Sequence, residues 1–262
     1  MKVTPQKQAR FGVTVEGFDL FSAADSDVIG LRRHVHREKI VLLRGGRLSL
    51  AAGAELGRRL GVVESGDAPP YRRGGICGLP VPAAGSGGPG WHADHQGTPN
   101  PPALALVHAQ QVAARHRGTY FIDMGRAYAR LPAALRRAAA RTRAVHSPYR
   151  HGAVRGAPGR SAAGARGVIH PTVFTHPATG ERVLYLSEGF TTALLDEAGT
   201  VLGPELLTAL LAGTGQLDPA YRHENIHLQS LDEGELLLWD NRSLVHRTWP
   251  APPPGGAQRR SR

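Results

Sequence analysis

The chain has 262 residues, 41% of them hydrophobic, and its formal net charge at pH 7 is +11. This length and apolar content suffice for one large domain with a sizeable core. The basic excess consists of scattered arginines without the aromatic–basic motif of a nucleic-acid reader, so an anionic small molecule is a better candidate partner than nucleic acid.

The cysteine content and the N-terminus predict the cellular compartment. Cys77 is the single cysteine, so no intramolecular disulfide can form and a reducing compartment fits. Residues 1–6 lack the apolar stretch of a signal peptide, and no apolar run approaches the roughly 18 residues of a membrane span. We therefore expect a cytoplasmic protein that does not enter a membrane, and a homo-oligomer is left open.

A strand and a helix are predicted first. Residues 11–20 alternate between apolar and polar side chains, as a half-buried strand does. Asp25 or Ser26 can cap the helix that follows, whose apolar positions share one face. His34 and His36 lie two apart on this helix and point in different directions, so both are predicted to be solvated.

A buried strand at 40–43 and a helix at 51–60 come next, and a Gly/Pro-rich stretch, 62–90, follows them. No regular element fits its composition, so we expect a loop. A lid over a functional site and a disordered connector both fit such a loop.

The segment after that loop carries a potential metal ligand pair, His92 and Asp94. In a strand, side chains alternate with period two, so both would lie on one face and His95 on the other. A third ligand would complete the two-histidine, one-carboxylate triad of a non-haem Fe(II) oxygenase, and His246 is the obvious candidate. His-x-Asp is a weak signal among 13 histidines, and an ordinary surface histidine is the alternative.

The second half of the chain alternates strand patterns with two helices. Asp240-Asn241 forms a tight turn, and the strand after it carries His246. His223 and His227 are predicted to pack or to face solvent rather than to bind metal. The remaining predicted elements are strands at 104–109, 116–124, 170–180, 184–191 and 235–239, helices at 126–140 and 205–212, a basic loop at 150–167 and an irregular tail at 250–262.

Two motifs together resemble the taurine dioxygenase (TauD/TfdA) family of Fe(II)- and 2-oxoglutarate-dependent dioxygenases. They are Trp-His-x-Asp at 91–94 and Trp-Asp-Asn-Arg-x-x-x-His at 239–246, and the resemblance runs over roughly residues 8–250. It implies a mainly β fold with flanking helices, a double-stranded β-helix (jelly roll, cupin-like), formed by one domain over 1–262.

The resemblance also implies a ligand set and a reaction. His92, Asp94 and His246 would bind Fe(II), with 2-oxoglutarate as co-substrate and O2 as oxidant. Hydroxylation of a small molecule is the expected outcome, and desaturation or cyclisation is left open. Halogenation is not expected, because halogenating relatives carry a small residue where Asp94 stands.

The co-substrate residues are likewise implied by the resemblance. Thr119 lies in a Gly-Thr-x-Phe-x-Asp-Met segment whose threonine helps to bind 2-oxoglutarate, although a strand also favours threonine for its own sake. Arg260 best matches the family's arginine for the distal carboxylate, with Arg259 second. The connector before them is longer than in relatives and the sequence stops early, so a catalytically degenerate member that only binds a ligand or partner is the alternative.

The substrate is the least constrained prediction. Phe190, Trp249 and the 62–90 loop are candidate pocket walls. The segment before Trp91 lacks the asparagine of the taurine enzyme, so taurine itself is not expected. An amino acid or a secondary metabolite is the preferred class.

Overall fold

The computed structural model describes residues 1–6, 10–45, 50–61, 90–109, 118–147 and 167–248. Trp249, Arg259, Arg260, the tail and nearly all of the two predicted loops lie outside these residues. Within the described part there are thirteen strands and five helices. They are β1 (Lys2–Pro5), β2 (Val13–Glu16), α1 (Asp25–Glu38), β3 (Ile40–Arg44), α2 (Leu50–Leu60), β4 (Leu104–His108), β5 (Thr119–Asp123), α3 (Met124–Arg130), α4 (Ala133–Ala140), β6 (Arg143–His146), β7 (Val168–Pro171), β8 (Val173–Thr175), β9 (Arg182–Leu184), β10 (Thr191–Leu195), α5 (Pro204–Thr214), β11 (Ile226–Gln229), β12 (Leu236–Asp240) and β13 (Leu244–Thr248).

A five-stranded sheet, in the order β1-β2-β3-β12-β4, forms one wall of the molecule. Only the β2–β3 pair in it is parallel. The two central strands, β3 and β12, are buried on both faces, and their successive side chains point alternately to one face and the other. Val41 and Leu43 of β3 pack toward α1 and α2, whereas Ile40 and Leu42 face the other way.

A second sheet, in the order β11-β5-β13, faces this wall. Phe121 of β5 and Leu244 of β13 pack with Leu237 and Trp239 of β12, so a layer of apolar side chains fills the space between the two sheets. His246 lies two residues after Leu244 on β13 and therefore points into the same layer. The other face of β5 packs against α3, α5 and the sheet β10-β6-β7.

Several predictions of secondary structure differ from the structure. The strand predicted at 184–191 is not formed, because β9 ends at Leu184 and β10 begins at Thr191. The single helix predicted over 126–140 is two helices, because Pro132 lacks the amide hydrogen that a continuous helix needs. The strand β6 was not predicted, and α1 is capped through Ala24, whose backbone N–H donates to Asp27, rather than by Asp25 or Ser26. None of the helices in the described ranges is long and apolar enough to cross a membrane.

The histidine at the end of β6 predicts how stability depends on pH. His146 is fully buried against His170 and Tyr185, with Nδ1 3.2 Å from the Thr191 hydroxyl. Burial, reinforced by His170, lowers the pKa of His146 from 6.5 to about 3. The unfolded chain takes up this proton below about pH 6.5, and the folded protein takes it up only near pH 3. The free energy of unfolding should therefore fall as the pH drops through this window, by about 1.4 kcal/mol per pH unit for this group.

Urea unfolding of His146→Gln at pH 7, 6 and 5 checks this contribution. On acidification the free energy of unfolding of the variant should fall less steeply than that of the wild-type protein. The difference between the two slopes should be about that of one proton, about 1.4 kcal/mol per pH unit. Asn225→Ala, which removes a buried side chain that does not titrate, is the control and should keep the wild-type slope. Identical slopes for all three proteins would contradict the assignment.

Candidate metal centre

Two groups of two histidines and one aspartate occur within the described residues. In each group the potential ligand atoms lie within 4.8 Å of one another. The first group is the predicted triad, His92, Asp94 and His246. The second, His36, His176 and Asp240, was not predicted. The two groups contain the same residue types but differ in the hydrogen-bond partners of their ring nitrogens, and these partners determine which nitrogen can bind a metal.

The two histidines of the predicted triad are held by a direct backbone pair. The amide of His92 donates to the carbonyl of His246 at 3.0 Å, and the amide of His246 donates back at 2.7 Å. Their ring centroids lie 4.2 Å apart. Because β13 is also paired with β5 on its other side, opposite Phe121, the position of His246 is fixed by two neighbours.

Asp94 lies close to the two histidines, as predicted, but a turn rather than a strand places it there. Residues 91–95 do not form a strand; His92 makes an isolated bridge, and the chain turns at 94–97. The expected alternation therefore does not align the two ligands. The turn does so instead, and it places Asp94 Oδ1 3.8 Å from His92 Nε2 and 3.6 Å from His246 Nε2. His95, with φ of 55°, lies exposed at the turn.

These separations suit one metal ion. Nitrogen and oxygen ligands lie about 2.0–2.2 Å from a divalent transition metal, so two ligands of one ion can be at most about 4.4 Å apart. Both measured separations from Asp94 Oδ1 fall below that limit. Two imidazoles and one carboxylate with an open side are the ligand set of non-haem Fe(II) oxygenases.

The electrostatics of the triad favour a bound cation. Desolvation raises the pKa of the Asp94 carboxyl, and the nearby His92 and His95 only partly oppose this. Burial lowers the pKa of His246 to about 4, so this ring is neutral near pH 7. Few positive charges near Asp94 therefore offset the cost of burying its carboxylate, and His246 offers a neutral imidazole. A bound metal ion would stabilise the ionised carboxylate of Asp94 and the neutral ring of His246.

The hydrogen bond of His92 to a backbone carbonyl directs its other ring nitrogen toward Asp94. Nδ1 of His92 lies 3.0 Å from the carbonyl oxygen of Gly90. A carbonyl only accepts, so Nδ1 carries the proton and Nε2 presents its lone pair toward Asp94. Metal-binding histidines commonly donate their second ring nitrogen to a backbone carbonyl in this way.

The opposite arrangement applies to the second group. Nδ1 of His176 accepts from the amides of Ala178 and Thr179, each at 3.2 Å. The ring proton must therefore be on Nε2, which lies 3.0 Å from Asp240 Oδ2. A protonated nitrogen cannot ligate a metal, so these residues form a buried carboxylate–histidine cluster. Burial opposes ionisation of Asp240, but His176 and His36 hold the pKa of its carboxyl well below its ordinary value.

The prediction that His36 is solvated is wrong. Its side chain is buried, and Nδ1 lies 2.9 Å from Asp240 Oδ2. The relevant signal was the width of the apolar stripe on α1. His36 directly follows Val35 and falls one position outside the stripe of Val28, Leu31 and Val35, where a core-facing helix is still buried.

The remaining predicted site residues that the structure describes are Phe190 and Thr119. The ring of Phe190 is 5.9 Å from that of His92. Thr119 opens β5 two residues before Phe121, the cross-strand neighbour of His246, and so belongs to the same face of the sheet. Asn241 was predicted only as a turn residue, yet its side chain contacts Asp94 directly.

Comparison with known proteins shows the family to which the chain belongs. The family model described as "Taurine catabolism dioxygenase TauD, TfdA family" matches residues 2–261. A relative named (S)-phenoxypropionate/alpha-ketoglutarate-dioxygenase, from Delftia acidovorans, is 26% identical over 95% of this chain and 90% of its own length. An alpha-ketoglutarate-dependent 2,4-dichlorophenoxyacetate dioxygenase from Cupriavidus pinatubonensis is 28% identical over 60% of this chain and 53% of its own.

Solved structures share the fold. A taurine dioxygenase from Burkholderia xenovorans superposes with a TM-score of 0.72 at 24% identity, covering 94% of this chain and 83% of its own. AAD-2, solved in complex with Mn(II) and N-oxalylglycine, gives a TM-score of 0.73 at 20% identity over 94% of this chain and 91% of its own. The predicted double-stranded β-helix is confirmed by these matches.

The contrast between the two clusters predicts the metal stoichiometry. At saturating Co(II) or Mn(II), the wild-type protein should bind one equivalent, because only the first cluster offers unprotonated ring nitrogens. His246→Ala should bind none, since two ligands rarely retain an ion that needs three. His176→Gln should still bind one equivalent. Metal analysis after gel filtration measures this directly, with circular dichroism to verify folding. Two equivalents in the wild-type protein, or none in His176→Gln, would reverse the assignment of the two clusters.

Proposed function

We propose that this chain, which belongs to the taurine catabolism dioxygenase TauD, TfdA family, hydroxylates an unactivated C–H bond of a small organic acid. Enzymes of this family are alpha-ketoglutarate-dependent (2-oxoglutarate-dependent) dioxygenases that use Fe(II) and O2, and the chain is an oxidoreductase of that class. His92, Asp94 and His246 are the proposed Fe(II) ligands.

The observation that carries this proposal is the state of the two histidines. His92 is oriented by Gly90 with its lone pair toward the carboxylate, and His246 is neutral near pH 7. No proton has to leave the ring of His246 when a metal binds at neutral pH. The centre is therefore preorganised for a divalent cation rather than for a hydrogen-bonded cluster.

Three protein ligands leave the remaining positions of an octahedral ion for small molecules. When bound, Fe(II) with 2-oxoglutarate activates O2, so that decarboxylation to succinate and CO2 accompanies transfer of one oxygen atom to the substrate. The part of the protein is to hold these reactants together and to keep water away. The rings of Phe121 and Trp239, whose centroids lie 5.8 and 5.2 Å from that of His246, provide apolar surface beside the centre.

The co-substrate needs a cation of its own. A dicarboxylate beside the metal leaves one carboxylate away from it, and an unpaired buried charge is costly. Arg260, with Arg259 as second choice, is proposed to pair with this distal carboxylate, because the guanidinium fork can grip both oxygens. Thr119 is proposed to assist from the first position of β5.

The substrate is proposed to be an amino acid or a carboxylated secondary metabolite. The net charge of +11 favours an anionic molecule, and two relatives are named for acids, phenoxypropionate and 2,4-dichlorophenoxyacetate. Phe190, whose ring lies beside His92, and Trp249 are proposed as substrate contacts. Hydroxylation is the default outcome for this centre.

Anaerobic addition of Fe(II) and 2-oxoglutarate tests the centre. A weak visible charge-transfer band should appear with the wild-type protein, and candidate acids, with taurine in the same panel, should shift it. Asp94→Ala should lose the band and succinate formation together, because removal of the anionic ligand weakens iron retention. Asp25→Ala, at an exposed carboxylate paired with Arg59, is the matched control and should behave as wild type. A band without succinate for any substrate would favour the ligand-binding alternative, and unchanged turnover in Asp94→Ala would remove Asp94 from the ligand set.

Arg260→Ala tests the co-substrate site. Loss of a charge-assisted hydrogen bond of about 1.5–3 kcal/mol should raise the 2-oxoglutarate requirement about tenfold or more. Fe(II) affinity should stay nearly unchanged, because the proposed contact does not involve the metal. Steady-state succinate formation at varied 2-oxoglutarate concentration measures the 2-oxoglutarate requirement, and metal titration measures the Fe(II) affinity.

Arg58→Ala, at an exposed arginine paired with Glu55, is the control for loss of charge alone. If Arg260→Ala uses 2-oxoglutarate normally, Arg259 and then Arg262 are the next candidates. Normal use by all three variants would show that the tail does not hold the co-substrate.

A further inference from the structure

One side chain holds the backbone of the Asp94 ligand. The Oδ1 atom of Asn241 accepts from the amide of Asp94 at 2.8 Å, and its Nδ2 donates to the carbonyl of Asp94 at 3.0 Å. The same Nδ2 donates to the carbonyl of Pro102, also at 3.0 Å, and the Asn241 amide bonds to Ala103. Asn241 is 1% exposed, so these bonds do not compete with water.

This contact replaces the support that a strand would have given. His92 and His246 are fixed to each other by backbone hydrogen bonds, but Asp94 lies beyond that bridge, in a turn. Both backbone polar groups of Asp94 are bound to Asn241. The direction in which the carboxylate points is therefore set through the β12–β13 turn rather than through a sheet.

The turn itself is held by the buried cluster of Asp240. Its Oδ1 accepts from the amides of Arg242 and Ser243 at 3.0 and 3.2 Å, which closes the turn. Its Oδ2 lies between His36 of α1 and His176, which follows β8. Two elements distant in sequence thus fix the residue that immediately precedes Asn241.

A lysine adds a second anchor on the same side. Lys39, at the end of α1, has φ of 70° and is 5% exposed. Its carbonyl accepts from the Asp240 amide at 2.9 Å, and its Nζ bonds to Glu181 and to the Ser243 hydroxyl. The turn is therefore tied to α1 by backbone and by side chain, and to the β8–β9 hairpin by Glu181.

We propose that Asn241 is a positioning residue for the Asp94 metal ligand, and that the buried His36–Asp240–His176 cluster holds Asn241 in place for this role. The inference rests on the proposed function, since it takes Asp94 as a ligand. It assigns a task to a cluster that has the composition of a metal site but the wrong proton distribution for one. Residues outside the first coordination shell that orient a ligand typically affect metal affinity by about 10–100-fold.

Metal titration of Asn241 variants tests the inference. Asn241→Ala removes the contact, and Asn241→Asp keeps the acceptor for the Asp94 amide while placing an oxygen against the Asp94 and Pro102 carbonyls. Both should weaken Co(II) or Mn(II) binding by about 10–100-fold. The matched control is Asn225→Ala, because Asn225 is also buried and its side chain bonds to Arg130 and Thr214, away from the triad. The control should lose stability but bind metal within about twofold of wild type.

A spectroscopic readout separates positioning from general destabilisation. At saturating Co(II), well below the unfolding temperature, the Asn241 variants should show an altered ligand-field spectrum because the carboxylate approaches the ion differently. Asn225→Ala should give the wild-type spectrum. Asp240→Asn, which puts an NH2 group or an uncharged oxygen before His36 and His176, should change affinity and spectrum in the same direction while keeping Asn241. Asp240→Asn also tests the inference if Asn241→Ala fails to fold.

The outcomes distinguish the inference from the function beneath it. Wild-type affinity and spectrum in both Asn241 variants would overturn the inference and leave the proposed function standing. A wild-type protein that binds no divalent metal would overturn both. Equal effects in Asn225→Ala and Asn241→Ala would mean that the loss reflects stability alone and would also overturn it.

Discussion

The carboxylate of Asp240 is the interaction on which the centre depends. A fully buried charge is expensive to remove from water, and it is tolerated only where hydrogen bonds satisfy it. Here two turn amides and two imidazoles surround it. Those groups come from α1, from the segment after β8 and from the turn after β12, so satisfying one carboxylate brings together three parts of the chain. The buried carboxylate of Asp240 thus joins the turn between β12 and β13 to α1 and to the segment after β8.

The two histidine–aspartate groups illustrate that residue types do not define a metal site. In one group a carbonyl accepts the proton of His92, and the lone pair is left toward the carboxylate. In the other, two amides occupy the lone pair of His176 and turn its proton toward Asp240. For His92 and His176 the difference lies in which backbone groups contact Nδ1, a carbonyl in one case and two amides in the other. Both groups bring two histidines and one aspartate together, and the backbone groups around the rings distinguish a potential cation site from a hydrogen-bonded support.

Sequence reasoning identified the three candidate ligands and most strands, because short motifs and apolar periodicity are local signals. It erred where a distant partner decides the geometry. The His92–Asp94 pair was predicted to align within a strand, whereas a turn held by Asn241 aligns it. His36 was predicted to be solvated because its partner, Asp240, lies 204 residues away. The helix predicted across Pro132 was a different failure, since the local rule against an internal proline was available and was outweighed by the apolar pattern.

The mutual backbone hydrogen bonds of His92 and His246 have a consequence for the choice of ion. The backbones of the two histidines are joined by an isolated bridge, in which each amide donates to the carbonyl of the other residue. Asp94 lies in a turn, but both of its backbone polar groups are bound to the buried Asn241. An ion held by these three residues would therefore meet ligands whose backbones are fixed before it binds. Adjustment to its radius would fall to the side-chain torsions of Asp94.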